Sequence, residues 1–190
     1  MDNGKQEFLF LADGKPAYPF VPTDEKVNII FNFLKNFPLA TTWQMSEKEI
    51  MEFLFDPRVI LIEVGNAMVM LENVIPNFQA HAGFICLDRK VSGSKNMLRD
   101  TFYNLTKMLN LIRLYSKVPE KNRVMWRMLE KIGFQIEGRL RRSFPLREGG
   151  FCDTFIYGIL IEELEDARKR NEVKSASDNR PEPVDNVASK

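Results

Sequence analysis

Two apolar runs separated by a two-residue turn constrain the fold of this chain more than any other feature. Val59–Val64 and Ala67–Glu72 are each long enough for a strand, and Gly65 and Asn66 lie between them. A glycine-first pair in this position is typical of a tight turn, because glycine adopts the positive φ angles that such turns need. The sequence therefore predicts an antiparallel hairpin.

Two amphipathic helices are predicted before this hairpin, after an opening strand and a loop. In the first helix Thr23 or Asp24 is available as the N-cap and Pro38 as the stop. Its apolar residues recur at helical spacing: Val27, Ile30, Phe31 and Leu34. The second helix begins with a capping box formed by Ser46 and Glu49. Its apolar stripe is Ile50, Phe53 and Leu54.

After the hairpin, predicted strands alternate with predicted helices. A strand over 78–87 and a glycine loop lead into a helix with the inner face Leu98, Phe102, Leu105 and Leu109. A strand over 111–116 precedes a helix that ends at Gly133 and has the apolar positions Val124, Met125, Met128, Leu129 and Ile132. Strands over 134–140 and 151–161 and a short terminal helix complete the order. Hairpins combined with two strand–helix–strand crossovers predict an α/β (α+β mixed) fold with three layers, a mixed sheet with helices on both faces.

The length and composition fit one domain followed by a polar tail. The chain has 190 residues, of which 44% are hydrophobic, so it can bury one sizeable core. The last residues are rich in Ser, Asp, Asn and Pro and offer almost nothing to bury. We therefore expect a single domain over residues 1–172 and a disordered tail over residues 173–190.

Charge and cysteine content argue against several classes of protein. The 27 Lys and Arg residues balance 26 Asp and Glu residues, so no global field attracts nucleic acid. No apolar run is long enough to span a membrane, and the amino terminus lacks the pattern of a secretory signal. Two cysteines and one histidine cannot supply the four ligands of a structural zinc. We expect a cytoplasmic protein without metal, membrane or nucleic-acid partner, and the oligomeric state stays open.

The carboxyl-terminal half carries a set of landmarks at fixed spacing. Asn122 is followed by an EKIGF segment, an EG pair, an arginine-bearing strand, a hairpin glycine, an aspartate and an aromatic residue. These are Glu130–Phe134, Glu137, Gly138, Arg139, Gly150, Asp153 and Tyr157. The pattern resembles the GNAT N-acetyltransferases, most closely the branch that acetylates ribosomal-protein amino termini and polyamines. The resemblance implies a GNAT-like fold and acetyl transfer from acetyl-CoA to a primary amine of a protein amino terminus, a polyamine or a small molecule.

The resemblance also implies where acetyl-CoA binds. In the family, backbone amides at the start of the helix after the fourth strand hold the pyrophosphate, because unpaired N–H groups and the helix dipole favour anions. The matching residues here are Lys90, Ser92, Gly93, Ser94 and Lys95. Asn122 matches a family residue that contacts the pantetheine arm or an ordered water. A basic loop with a helix cap, and for Asn122 an N-cap, are the alternative interpretations.

His81, Asn122 and Tyr157 are the candidate catalytic residues. His81 is the candidate base, because an imidazole exchanges a proton near neutral pH and this one precedes the cofactor loop. Glu72 and Asp153 are weaker candidates for the base. Tyr157 is a candidate acid, although aromatic residues at strand spacing are often part of the core, and the histidine could equally be structural.

Two departures from the family pattern motivate a second hypothesis. Lys95 stands where the family has a small residue, and Leu129 stands where the family often has a tyrosine acid. The chain could therefore be a catalytically degenerate GNAT-fold binding or assembly protein, of the kind that phages encode. Four arginines near the last hairpin could hold the ribose phosphate of CoA, an acidic substrate or a nucleic-acid backbone, or could form a solvated face: Arg139, Arg141, Arg142 and Arg147.

Overall fold

The computed structural model of the protein describes residues 9–10, 16–21, 23–36, 46–64, 67–86 and 94–178. The strands are β1 (Leu9–Phe10), β2 (Pro16–Pro19), β3 (Ile60–Val64), β4 (Ala67–Ile75), β5 (Gln79–Cys86), β6 (Arg113–Pro119), β7 (Gln135–Pro145) and β8 (Phe151–Leu160). The helices are α1 (Asp24–Asn36), α2 (Glu47–Leu54), α3 (Ser94–Met108), α4 (Arg123–Ile132) and α5 (Ile161–Asp178).

The strands form one mixed sheet in the order β1-β2-β3-β4-β5-β6-β8-β7. The pair β5–β6 is parallel and all other neighbours are antiparallel. A parallel pair needs a crossover, and α3 provides it. The predicted hairpin is confirmed, because Val64 pairs with Ala67 across the turn.

The main core lies between the sheet and helices α3, α4 and α5. Leu98, Phe102 and Leu105 of α3 follow helical spacing and are fully buried against Leu114 and Ile159 of the sheet. Burying a side chain of this size contributes about 1.5–3 kcal/mol. Three of the four predicted stripe residues therefore fix this layer, whereas Leu109 follows the end of α3 and is only partly buried.

The second layer, α1 and α2, covers the other face of the sheet at its β3–β4 end. Residues of both helices and of the sheet form one cluster: Val27, Ile30, Ile50, Leu54, Leu61 and Met68. The predicted capping box holds the start of α2, because the Ser46 hydroxyl accepts from the Glu49 N–H at 3.2 Å and Glu49 accepts from the Ser46 N–H at 2.6 Å. The hydrogen bonds that the Ser46 N–H and hydroxyl donate to the Glu49 carboxylate lower the pKa of Glu49. Helices on both faces confirm the predicted three-layer α/β fold.

The end of α4 is fixed by a glycine and a buried arginine. Gly133 has φ 126°, a conformation that side chains rarely adopt, and it ends the helix as predicted. Arg99 of α3 donates from Nε to the Ile132 carbonyl at 2.9 Å and from a terminal nitrogen to the Lys131 carbonyl at 2.8 Å. The guanidinium therefore satisfies carbonyls that the helix end leaves without partners.

The exposure of one residue and the length of one helix differ from the sequence prediction. Val124, predicted on the inner face of α4, is 80% exposed, because the buried stripe of that helix runs through Leu129 and Ile132. Helix α5 continues past the predicted domain end to Asp178, so it is longer than the short helix expected. Residues 179–190 lie outside the described residues.

Strand β7 ends the sheet next to β8. Its pairing shifts register between Ile136 and Gly138 and again between Leu140 and Phe144. Arg142, within the second shift, has φ 49°, so the backbone there adopts a left-handed conformation. Most of this strand is exposed.

Candidate active site

The two parallel strands separate part-way along their length. Within the described strands, β5 and β6 are paired as far as His81 and Tyr115 and no further, although they continue to Cys86 and Pro119. Each remains paired on its outer edge, β5 with β4 and β6 with β8. A gap therefore opens in the middle of the sheet, with backbone hydrogen-bonding groups along both of its sides.

The side chain of His81 lies where this gap begins. Its Nε2 accepts a hydrogen bond from the backbone N–H of Lys117 at 3.3 Å. Oε1 of Glu72 lies 2.7 Å from Nδ1 without forming a hydrogen bond with it, so the contact is electrostatic. The ring also meets Tyr115 edge-on, with centroids 5.3 Å apart. The imidazole is 15% exposed, which leaves it accessible to a small group.

Glu72 belongs to this arrangement because of the sheet register. It pairs directly with His81 across β4 and β5, and side chains of paired residues lie on the same face. The sequence offers Glu72 as an alternative base, and the structure places it behind the imidazole instead. A carboxylate in this position orients a histidine and stabilises its charged form.

Asn122 caps helix α4. Its Oδ1 accepts from the Met125 N–H at 3.2 Å, and the residue is buried at the end of the turn that follows β6. The N-cap interpretation is therefore confirmed. This turn follows β6, which borders the gap. The contact of Asn122 with a cofactor stays a prediction.

The structure does not bring Tyr157 together with His81. Tyr157 pairs with Ser116, whereas His81 pairs with Tyr115, so the two side chains point to opposite faces of the sheet. Tyr157 is 2% exposed within the main core, and its hydroxyl donates to Glu130 at 3.2 Å. Burial and the Glu130 carboxylate raise its pKa to about 12, so it holds its proton firmly.

Most of the predicted cofactor loop lies outside the described residues, namely Lys90, Ser92 and Gly93. Ser94 is the first residue of α3, and Lys95, in the first turn, is exposed. The helix therefore begins where the resemblance places the pyrophosphate site. The binding role of these five residues stays a prediction.

The remaining sequence candidates have structural partners. Asp153 accepts from the Arg142 N–H at 2.8 Å and from Arg139 at 2.5 Å, and these donors lower its pKa. Arg139 also lies 3.5 Å from Glu120. Leu129 is fully buried in the core. A carboxylate that is already held by two donors is a poor base, and the position of the family tyrosine offers no acid.

The sequence interpretation missed two contacts made by residues of β6. The Lys117 amide contacts the histidine through its backbone, so no side-chain pattern marks it. Arg113 of β6 and Glu137 of β7 form an ion pair at 2.5 Å across β8, on the side of β6 away from the gap, and the Glu137 carboxylate occupies the space that a Cβ at Gly158 would need. The alternation of side chains along β6 places Arg113, Tyr115 and Lys117 on one face of the sheet. Their contacts depend on the register in which β6 pairs with its neighbours, which the sequence does not show.

Comparison with known proteins is informative at the level of structure. No family model and no curated protein matches the sequence. RimJ from Mycobacterium smegmatis, in complex with CoA-disulfide, matches with a TM-score of 0.65 and 18% identity, covering 85% of this chain and 88% of that one. The chain has the GNAT fold.

Two further solved structures extend this comparison. Spermidine N-acetyltransferase from Vibrio cholerae, in complex with CoA and spermine, matches with a TM-score of 0.63 and 17% identity over 78% of this chain and 98% of that one. A GNAT-family acetyltransferase from Bacillus anthracis matches with a TM-score of 0.62 and 14% identity over 82% and 99%. The resemblance noted in the sequence is thus confirmed for the fold.

Other features of the GNAT-fold chain complete the description. Within the described residues, no group of three His, Cys, Asp or Glu side chains is arranged to hold a metal ion. Cys152 is a buried free thiol that packs with Phe144 and Leu146. No helix in the described part of the chain is both long and apolar enough to cross a membrane.

Proposed function

We propose that this protein transfers an acetyl group from acetyl-CoA to a primary amine, with His81 as the general base. The observation that carries the proposal is the position of this side chain at the start of the gap between β5 and β6, with Glu72 at its Nδ1. A base in such a position lies beside any ligand that enters the gap. The carboxylate favours the protonated imidazole that proton transfer creates.

The gap suits the pantetheine arm of acetyl-CoA. That arm is an extended chain with amide groups, and the separated strands offer backbone donors and acceptors over 82–86 and 116–119. The first turn of α3 contains no acidic residue, which suits a pyrophosphate at the helix start. Ser94 and Lys95 are at this end of α3, and we assign Lys90, Ser92 and Gly93 to the same site from the sequence.

His81 and Glu72 have different roles in the proposed reaction. When bound, acetyl-CoA supplies a thioester whose carbonyl carbon bonds to the amine nitrogen while the carbon–sulfur bond breaks and the thiolate leaves with the electron pair. His81 Nε2 accepts the proton that the amine nitrogen loses, and Glu72 stabilises the resulting imidazolium. Because Leu129 cannot donate a proton, we assign protonation of the thiolate to solvent.

The acceptor class is a primary amine of a protein amino terminus, a polyamine or a small molecule. One matched structure is a spermidine N-acetyltransferase holding spermine. The negative charge of Glu72 beside His81 favours a cationic amine as it approaches. We place this activity in the cytoplasm, as the sequence predicts.

The second candidate is a GNAT-fold binding or assembly protein without catalysis. The burial of Leu129 at the position of the family acid favours it, as does Lys95 in the cofactor loop. The two candidate functions differ in whether the protein binds acetyl-CoA and transfers its acetyl group. An enzyme binds and consumes it, whereas a degenerate protein fails at one of these steps.

Cofactor binding is the first test. Acetyl-CoA and CoA at millimolar concentration should raise the Tm of the enzyme, because a ligand that binds the folded state stabilises it by mass action. The Gly93→Asp variant places a carboxylate among the phosphate-facing amides, so it should abolish this rise and leave the ligand-free Tm unchanged. An unchanged Tm of the unmodified protein would overturn the enzyme proposal.

Turnover is the second test. Acetyl transfer to a panel of polyamines, peptides with free amino termini and small primary amines should give product with at least one acceptor class. Binding of acetyl-CoA without product in any class would favour the degenerate protein.

A further inference from the structure

The Lys117 amide is a backbone donor that faces the gap. The Arg113 N–H donates to the Phe78 carbonyl, so it points toward β5. Every second amide of a strand points to the same neighbour, and the amides of Tyr115 and Lys117 therefore point toward β5 as well. The next bond of a continued ladder would run from Lys117 to the Ala82 carbonyl, but the pairing ends at His81.

The His81 side chain takes the place of that missing carbonyl. Its Nε2 lies 3.3 Å from the Lys117 nitrogen and accepts a hydrogen bond from the Lys117 N–H. A neutral imidazole has one donor nitrogen and one acceptor nitrogen. Because Nε2 accepts, the imidazole proton is on Nδ1, which faces the Glu72 carboxylate at 2.7 Å. The two contacts select the same tautomer.

We propose that Glu72 and the Lys117 amide hold His81 with its Nε2 blocked, and that a carbonyl of acetyl-CoA entering the gap takes over the Lys117 amide and releases Nε2 to accept the amine proton. This inference rests on the proposed function. Glu72 is a positioning residue in it, since it acts on the amine only through His81. A backbone amide cannot leave the strand, so the imidazole is the partner that moves.

The release of Nε2 sets the order in which acetyl-CoA and the amine bind. While Nε2 accepts the hydrogen bond from Lys117, its lone pair is directed at that backbone amide and not at an amine in the gap. Cofactor entry supplies both the acetyl group and the change that frees the base. An amine that arrives first meets a blocked Nε2, and productive binding therefore begins with acetyl-CoA.

The chain contains a single histidine, so NMR can test the ligand-free state directly. A long-range proton–nitrogen spectrum of ¹⁵N-labelled protein at mildly alkaline pH should show a protonated Nδ1 and an unprotonated Nε2. A protonated Nε2 would mean that the Lys117 bond does not exist, and it would overturn this inference while leaving the proposed function intact.

Titration with CoA and with acetyl-CoA tests the release. The Nε2 resonance of His81 and the backbone amide resonance of Lys117 should shift together as the ligand binds, because they exchange partners. A ligand that raises the Tm but moves neither resonance would overturn the release step alone. A ligand that leaves the Tm unchanged would overturn the proposed function, and the release step with it.

The Glu72→Gln variant tests the positioning role, with Glu63→Gln as the matched control. Glu63 is also a strand glutamate, but its partner is Lys26. Loss of the carboxylate at position 72 should produce a mixture of tautomers and lower kcat about ten- to hundredfold, with acetyl-CoA affinity unchanged. Glu63→Gln should retain the Nδ1–H tautomer and its kcat. A Glu72→Gln protein with an unchanged tautomer and kcat would contradict the role.

Discussion

The two edges of β6 differ in how completely they are paired. Toward β8 the pairing runs along the whole strand, from Arg113 with Leu160 to Pro119 with Thr154. Toward β5 it stops at Tyr115. Each backbone hydrogen bond that is not formed forgoes about 0.5–1.5 kcal/mol. The β8 edge and the core beneath it therefore hold the strand, which allows the β5 edge to remain open for a ligand.

The largest expected effect comes from removing the base at the open edge. His81→Gln should lower turnover by roughly two to four orders of magnitude, with acetyl-CoA affinity, measured separately by calorimetry, nearly unchanged. Steady-state acetyl transfer across a pH series tests this. If turnover falls by less than about tenfold and the pH profile is unshifted, a group other than His81 accepts the amine proton.

A core substitution on β6 should act on stability instead. Leu114 is fully buried on the helical face of β6, so Leu114→Ala should reduce the free energy of unfolding by about 2–5 kcal/mol. Lys117→Ala is the matched control, because that side chain is exposed and the backbone amide is retained. It should change the free energy of unfolding by less than about 0.5 kcal/mol in urea denaturation. Similar losses in the two variants would contradict the assignment of stability to the closed side.

Tyr157 provides a smaller effect with a defined pH window. Its pKa is raised from an ordinary value of 10.0 to about 12, so the folded protein keeps a proton that the unfolded chain loses. Stability from this group is complete below pH 10.0 and is lost as pH rises through about 12. Tyr157→Phe should remove this part of the alkaline decline, measured by denaturation at several pH values.

The same variant tests the predicted acid role. Because Tyr157 faces away from His81, turnover of Tyr157→Phe should stay within about threefold of the unmodified protein at neutral pH. A loss comparable with that of His81→Gln would restore Tyr157 to the proton path.

The smallest effect is expected at the carboxyl terminus. Removing residues 179–190, which follow the end of α5, should leave the Tm and acetyl-CoA binding unchanged, since the sequence there offers no apolar face. Thermal unfolding of the shortened chain checks this. A drop of several degrees would mean that the tail docks on the domain.

Elements whose signals lie in neighbouring residues could be predicted from the sequence. The capping box at Ser46, the hairpin joining Val64 and Ala67 and the glycine end at Gly133 all depend on residues within one turn. The exposure of Val124 could not be predicted in this way, because an apolar residue at a helix start fits either face until the partner is known.

The site was predicted as separate residues but not as an arrangement. His81 and Glu72 were both candidates, yet only the β4–β5 register places them together, and that register shifts between Glu72 and Ile75. The end of pairing between β5 and β6 involves two strands that are far apart in the sequence. No local pattern of polar and apolar residues encodes where two distant strands part.

The last strand of the sheet bears on how the protein behaves in concentrated solution. An exposed, regular strand is a template on which another chain can add itself, and such growth leads to aggregation. The two register shifts of β7 and the left-handed backbone at Arg142 interrupt that template. The irregularity of β7 therefore makes this edge of the sheet a poor template for strand addition.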